Sequence, residues 1–247
     1  MKIAILSDIH ANLPALEAVL NHAQDLEIDY YCILGDLVGY YLNPKEVVER
    51  IMSLPNSTTI QGNHERLLIN AVNKEVSLKE LNDKFGEGHS LAIKCLSQEQ
   101  LKWLSELPVE KDLLFDNLLI KLCHGAPSQP DYYLYPTVNK SKLEEFLSEE
   151  YDYIFTGHSH YPFITARNNT LLINVGSVGM SKDVGGIASW GMIDTSNKVY
   201  VPYRTPFNVD KVKLLITETK NTNGKYLINI LNRRRYDREG DLINGAD

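Results

Sequence analysis

The chain opens Met1-Lys2-Ile3-Ala4-Ile5-Leu6-Ser7-Asp8-Ile9-His10-Ala11-Asn12-Leu13-Pro14, and three signals follow one another within these residues. Residues 3–6 are apolar without alternation, the pattern of a strand covered on both faces. Asp8 and His10 come directly after it. Asn12 then stands as a helix cap with Pro14 in the first turn, and Leu16, Val19, Leu20, Ala23 and Leu26 recur at helical spacing. A second unalternating run at 30–34 completes strand, helix, strand, the opening of a parallel, doubly wound sheet. Residues 44–52 read as another helix with Val47, Val48 and Ile51 on one face, and a third strand follows at 58–60.

Over 65–108 helix formers replace strand signals, ending in Ser97-Gln98-Glu99-Gln100, a capping box ahead of Leu101, Leu104 and Leu107. This segment is expected to be a helical insertion. Strand-length runs resume at 118–123, 153–155 and 171–175. Asp116-Asn117, Asn168-Asn169 and Thr195-Ser196-Asn197 sit as turns between apolar runs, so the second half is expected to be antiparallel. After 199–201, helices are expected over 208–219 and 225–235. The organisation expected is one α/β domain over 1–205, holding the insertion, with a helical appendage and tail over 206–247 packed on it.

With 247 residues, 43% of them apolar and 23% charged, the chain has ample side chains for a buried core. Its net charge of −7 supplies no field that would draw duplex nucleic acid. Arg233-Arg234-Arg235 stands beside Asp237, Glu239 and Asp241 and reads as a solvated mixed-charge tail. Ser7-Asp8 is reached after only four apolar residues, too few for a secretory signal or a membrane span. Cys32, Cys95 and Cys123 lack C-x-x-C spacing, which indicates neither a disulfide framework nor a thiolate zinc site. A cytoplasmic protein is expected, with no membrane or duplex nucleic-acid partner and its oligomeric state open.

The chemistry concentrates where strands end. Asp8 and His10 follow the first strand, Asp36 the second, Asn63 and His64 the third, His124 a fourth, and His158 and His160 a fifth. In open α/β sheets the carboxyl ends of strands line one edge, where ligands bind, so these residues can converge. Of the 7 histidines only His22 and His89 fall elsewhere, in helical regions. His22 is expected on the exposed side of its helix and His89 as a surface or packing residue. Any lone histidine of the five could be a hydrogen-bonded core residue. Gathered with two carboxylates they would cost several kcal/mol per ionised group to bury, which metal ions offset. Oxygen and nitrogen donors of this kind suit manganese, iron, zinc, nickel or magnesium. Two Asp, one Asn and four His suffice for two divalent ions if Asp36 bridges. Two such ions outweigh both carboxylates and a shared hydroxide, leaving a positive centre that draws phosphate to an acidic protein. Cations about 3.5–4 Å apart acidify a shared water and stabilise charge on phosphoryl oxygens.

Asp8-Ile9-His10, Gly35-Asp36-Leu37-Val38, Gly62-Asn63-His64-Glu65, His124-Gly125 and Gly157-His158-Ser159-His160 stand in the order of D-x-H, G-D-x-x, G-N-H-[DE], H-G and G-H-x-H blocks. The chain thereby resembles the calcineurin-like metallophosphoesterases, in their branch of small single-domain bacterial and archaeal enzymes. The run Asn174-Val175-Gly176-Ser177-Val178-Gly179 resembles a glycine-rich loop near the end of that fold. The resemblance implies an α/β fold, a four-layer α/β/β/α sandwich of two mixed sheets. It implies hydrolysis of a phosphodiester or phosphomonoester by a hydroxide bridging two metals. It also implies Asp8, His10 and His160 on one metal, Asn63, His124 and His158 on the other, Asp36 on both, and His64 as catalytic and not a ligand.

In the serine/threonine phosphatases of that superfamily the second block continues into Asp-Arg-Gly, whereas Gly39 and Tyr40 occupy the Asp and Arg places here. The Arg fork that grips a monoester dianion is therefore missing, as is the carboxylate that would orient His64 as a general acid. Phosphodiesters are favoured over phosphoproteins. Tyr40 and Arg66 are the candidate substrate contacts, Arg66 reading either as a substitute cation or as an exposed arginine on a helix surface. Tyr41, Tyr132, Tyr133 and Tyr135 either stack on a base or pack a loop among Pro127, Pro130 and Pro136. Ser177 either touches phosphate or belongs to a turn between Gly176 and Gly179. The expected partner is a small phosphorylated substrate, with nucleotides among the candidates. The alternatives are a non-catalytic scaffold, as in the retromer subunit of this fold, or a metal-binding regulator. Retention of His64 argues against the scaffold.

Overall fold

The structure is a computed structural model and describes residues 1–138, 140–219 and 221–234. β1 (Lys2–Leu6) pairs in parallel with β2 (Tyr30–Ile33), and β2 in parallel with β3 (Ser57–Thr59). Between them run α1 (Leu13–Asp25) and α2 (Pro44–Met52). Asn12 caps α1 as expected, its side chain accepting a hydrogen bond from Ala15 N–H at 3.3 Å. On the other side of β1 lie β9 (Ile187–Asp194) and β10 (Val199–Pro206), both antiparallel to their neighbours, giving the order β10-β9-β1-β2-β3.

Four helices occupy the segment between β3 and the second sheet: α3 (Asn63–Val72), α4 (Leu78–Phe85), α5 (Gly88–Cys95) and α6 (Gln98–Glu106). The capping box opens α6, with Gln100 N–H donating to Ser97 Oγ and Ser97 N–H to Gln100 Oε1. The second sheet has the order β4-β5-β6-β8-β7, built from β4 (Glu110–Phe115), β5 (Leu118–Cys123), β6 (Tyr153–Thr156), β7 (Phe163–Arg167) and β8 (Thr170–Asn174). All three expected turns close hairpins. The second half is nevertheless not wholly antiparallel, because β5, β6 and β8 pair in parallel. β5 reaches β6 by a crossover that includes α7 (Lys140–Glu144), and a crossover leaves no turn dipeptide to mark it.

The layers follow from which faces are apolar. Ile3, Ile5, Cys32, Leu34 and Ile60 of the first sheet meet Ile120, Leu122, Phe155 and Ile173 of the second, which buries the interface between sheets. Ala4, Leu6, Ile33 and Trp190 face outward onto Leu16, Val19 and Val47 of the helices. Cys123, Ile154 and Leu172 pack on Leu143, Phe146 and Leu147. The result is the four-layer α/β/β/α sandwich.

A C-terminal pair, α8 (Val209–Glu218) and α9 (Gly224–Asn232), buries Val212, Ile216, Leu227 and Ile230 against Ala11, Tyr41 and Met180. The second of the expected C-terminal helices therefore stops at Asn232. Arg233 and Arg234 are not simply solvated, since they donate to the carbonyls of Lys182 at 3.2 Å and Gly185 at 3.4 Å. Arg235 and the remaining tail lie outside the described residues. His22 is half-buried, not exposed: its Nδ1 is 2.8 Å from Thr205 Oγ1, and its ring meets Trp190 and Tyr203 edge-on. Among the described residues no helix is long and apolar enough to cross a membrane.

Candidate metal centre

The carboxyl ends of β1, β2 and β3 lie against those of β5 and β6. Hydrogen bonds join the two sheets there: His158 N–H donates to Asp8 Oδ2 at 2.9 Å, and Val178 N–H donates to Ser7 O at 2.9 Å. Asp8, His10, Asp36, His158 and His160 all take left-handed backbone angles, with φ of 55, 50, 56, 64 and 62°. Such angles cost a non-glycine residue on the order of 1 kcal/mol each and persist only where neighbours enforce them. Glu65 is one enforcer. Its Oε2 accepts from the N–H groups of Asp36 at 2.7 Å and Gly62 at 2.9 Å, and its Oε1 from those of Leu37 at 2.8 Å and Val38 at 3.2 Å.

The imidazole orientations decide which atoms face inward. Nδ1 of His10, His124 and His160 lies 3.1, 2.7 and 2.7 Å from the carbonyl oxygens of Val38, Leu34 and Met180. Each Nδ1–H donates to its carbonyl and Nε2 turns to the centre, the usual support of a metal-binding histidine. His158 is reversed, with Nε2 3.2 Å from Asp131 O, which leaves Nδ1 as its lone-pair donor.

Whether these residues suit cations can be tested on the donor spacing. Nε2 of His10 and Nε2 of His160 stand 3.1 Å apart, so two lone pairs face each other unless positive charge lies between them. Asp8 Oδ1 is buried and accepts no hydrogen bond among the described residues; it stands 3.2 Å from His160 Nε2 and 3.8 Å from His10 Nε2. Asp36 Oδ2 lies 3.3 Å from His124 Nε2 and 3.7 Å from His10 Nε2, while Asp36 Oδ1 accepts from His64 N–H at 2.8 Å. Asn63 Oδ1 is 3.0 Å from His124 Nε2. Two ligands each about 2.1 Å from one ion stand roughly 3–3.6 Å apart. The donors fit: Asp8, His10 and His160 form one group that could hold an ion, and Asp36, His124 and His158 another.

Protonation of the two carboxylates and of two of the rings agrees with that use. Burial alone would raise both carboxyl groups, but His160 and His124 hold Asp8 low, and His124, His64 and His10 hold Asp36 well below the usual carboxylate range. Burial lowers His10 to about 4 and His158 to about 3, so both are neutral at pH 7, the liganding form. On His124 burial again opposes charge, but Asp36 and Asp8 outweigh it and hold the ring up to about 9.

His64 sits in the first turn of α3, almost fully buried. It meets His10 edge-on at 4.8 Å, Phe85 edge-on at 5.0 Å and Tyr40 at 5.0 Å, and it stacks on His89 at 4.9 Å with 9° between planes. Its Nδ1 has no hydrogen-bond partner among the described residues and faces Gly39, where an added Cβ would stand only 2.3 Å away. His89 is thus a packing residue, wholly buried behind His64, and not a surface one. Burial holds His64 well below its ordinary value, hence neutral.

A cavity of about 600 Å³ opens onto Asp36, Asn63, His64, His158 and His160. Tyr40 lines it, as do Lys84, Phe85, Tyr133, Lys182, Asn223 and Tyr226, of which Lys84, Phe85, Asn223 and Tyr226 stand far from any of the sequence motifs. Arg66 is placed at the rim, in an ion pair with Asp131. Tyr133 stacks on His158 at 3.7 Å with Tyr135 behind it, whereas Tyr41 is buried beneath α8 and α9 and Tyr132 packs on Phe146. Ser177 is a turn residue: its Oγ donates to Asp8 O and accepts from Met180 N–H, each at 2.7 Å.

Residues 1–198 match the calcineurin-like phosphoesterase superfamily domain, and the chain belongs to that family. It is 34% identical over 190 residues to the uncharacterized protein MJ0912 of Methanocaldococcus jannaschii, which spans 73% of this chain and 71% of the relative. It is 27% identical over 197 residues to phosphodiesterase YfcE of Escherichia coli K12, spanning 78% of this chain and 88% of the relative. A metallophosphoesterase from Sphaerobacter thermophilus, known from its crystal structure, superposes with a TM-score of 0.76 at 25% identity, covering 94% of this chain and 98% of that one. The hypothetical protein PH1004 from Pyrococcus horikoshii shares the fold with a TM-score of 0.83 at 23% identity and the same coverage, 94% and 98%.

Proposed function

We propose that the protein hydrolyses phosphodiesters with two divalent cations, drawn from manganese, iron, zinc, nickel or magnesium. The observation that carries this reading is Asp36 Oδ2, which stands between His124 Nε2 at 3.3 Å and His10 Nε2 at 3.7 Å, the position of a ligand shared by two sites. Asp8, His10 and His160 then hold one ion, and Asn63, His124 and His158 the other. When bound, the pair supplies Lewis acidity toward a water nucleophile and toward the phosphoryl oxygens. His64, kept neutral by burial, offers an N–H to an ester oxygen from the first turn of α3, where the helix dipole also favours an anion. Ser7 Oγ, donating to Asp8 Oδ2 at 2.6 Å, leaves Oδ1 free to bind.

Two features support diesters over dianionic monoesters. Gly39 stands where a carboxylate would orient His64, and the Arg66 guanidinium is turned to Asp131. The relative YfcE is itself named a phosphodiesterase. We assign catalysis to residues 1–205, with the described part of 206–247 as an appendage on the same unit.

The test is to load the purified protein with manganese and assay bis-p-nitrophenyl phosphate against p-nitrophenyl phosphate. The diester is expected to turn over faster. Turnover of neither would leave the scaffold or regulator reading in its place.

A further inference from the structure

The family match ends at residue 198, yet α9 lies beyond it and reaches back over the centre. Asn223 and Tyr226 form one wall of the 600 Å³ cavity and face Lys84 and Phe85 at the end of α4. The two elements touch. A Cβ on Gly86, which caps α4 at φ +75°, would stand 2.8 Å from Asn223 Cβ, so a glycine is what lets α4 and α9 close together. Because α8 and α9 bury Leu227 and Ile230 against Ala11 and Met180, the wall is fixed to the loop that presents His10 and to the residue whose carbonyl accepts from His160 Nδ1–H.

The surface so made is aromatic. Phe85 lies 5.0 Å from His64 and 6.0 Å from Tyr40, Tyr226 lies 6.4 Å from Tyr40, and Lys84 Nζ stands 5.0 Å from the Phe85 ring. A bare phosphate needs no such walls, and the volume falls within the roughly 300–1,000 Å³ of sites that enclose an organic ligand. Aromatic faces beside a cation are how proteins hold a nucleobase, since every base offers a π-face.

We infer that α4 and α9 form a specificity chamber for the nucleoside of a nucleotide phosphodiester, with Phe85 and Tyr226 as its specificity-determining faces. This rests on the phosphoesterase reading above. Both residues act by holding the nucleoside, apart from the reacting atoms.

The experiment compares manganese-loaded full-length protein with Phe85→Leu and Tyr226→Leu, leucine being chosen to keep apolar bulk so that both variants fold. Two diesters with one leaving group are used, thymidine 5′-(p-nitrophenyl phosphate) and ethyl p-nitrophenyl phosphate. The wild type is expected to prefer the nucleoside diester by about tenfold or more in kcat/KM, or about 1.4 kcal/mol. Each variant is expected to bring that ratio below about three. Calorimetric binding of thymidine 5′-phosphate against ribose 5-phosphate should show the same preference and the same loss, without turnover. A ratio near one in the wild type, or a ratio unchanged in both variants, overturns the chamber. Preferential nucleotide binding with hydrolysis of neither diester overturns the phosphoesterase reading and upholds the chamber. Hydrolysis of both diesters without preference does the reverse.

Discussion

Glu65 Oε2 accepts a 2.7 Å hydrogen bond from the backbone N–H of Asp36, and the remaining capacity of that carboxylate is filled by Gly62, Leu37 and Val38. All four partners are donors, so a carboxylate is the only common side-chain group of this size that satisfies them at once. Glu65→Gln, though isosteric, turns an NH2 against two backbone N–H groups. We expect it to lower stability by about 3 kcal/mol in a denaturant melt and, by loosening Asp36, to weaken manganese binding at least tenfold by calorimetry.

Removing His64 and removing Asp36 should have opposite signatures. His64→Ala is expected to keep its metal and lose about 10²- to 10⁴-fold in kcat, the range for loss of one proton-handling group. Asp36→Ala is expected to lose metal. Elemental analysis beside kinetics separates them, and a metal-free His64→Ala with a metal-replete, active Asp36→Ala would reverse the two assignments.

Gly39 tests the setting of His64 without touching it. An alanine there would take φ +86° and place Cβ 2.3 Å from His64 Nδ1. The backbone strain costs about 1 kcal/mol, and the ring must move. Gly39→Ala should therefore lose at least tenfold in kcat while binding as much manganese as the wild type; loss of metal with the activity would show that the displacement reaches the ligands.

Metal-free protein should be most stable near the ordinary histidine value. His10 and His158 are held at about 4 and about 3, below the unfolded value of about 6.5. Over that interval the unfolded chain binds more protons, so stability rises with pH. His124, held up to about 9, keeps in the folded state a proton the unfolded chain has lost, so its contribution is full below about 6.5 and fades as pH rises through 9. Thermal melts in chelator should climb from pH 4 to about 6.5 and decline toward 9; a monotonic profile would contradict the charge states assigned to these rings.

Much of the centre is legible in the sequence because each candidate ligand follows an apolar run, so that strand ends and polar residues coincide in the chain as they do in space. The family blocks then order them. Other features leave no local trace. The parallel pairing of β5, β6 and β8 depends on a crossover, which carries no turn signal. Arg66 reads as a free cation because its partner, Asp131, lies 65 residues away. His89, Phe85 and Tyr226 sit on helices whose own periodicity says only that they pack; the docking of α9 against Ala11 and Tyr41 turns two of them toward the cavity. Glu65 is the exception, adjacent to Asn63-His64 in sequence and recognisable in role only once its four donors are seen.

Crystals soaked in manganese and measured at the metal absorption edge address the centre directly. Two anomalous peaks about 3.5–4 Å apart are expected, one among Asp8, His10 and His160, the other among Asn63, His124 and His158, with Asp36 touching both. A single peak, or peaks away from these side chains, would contradict it.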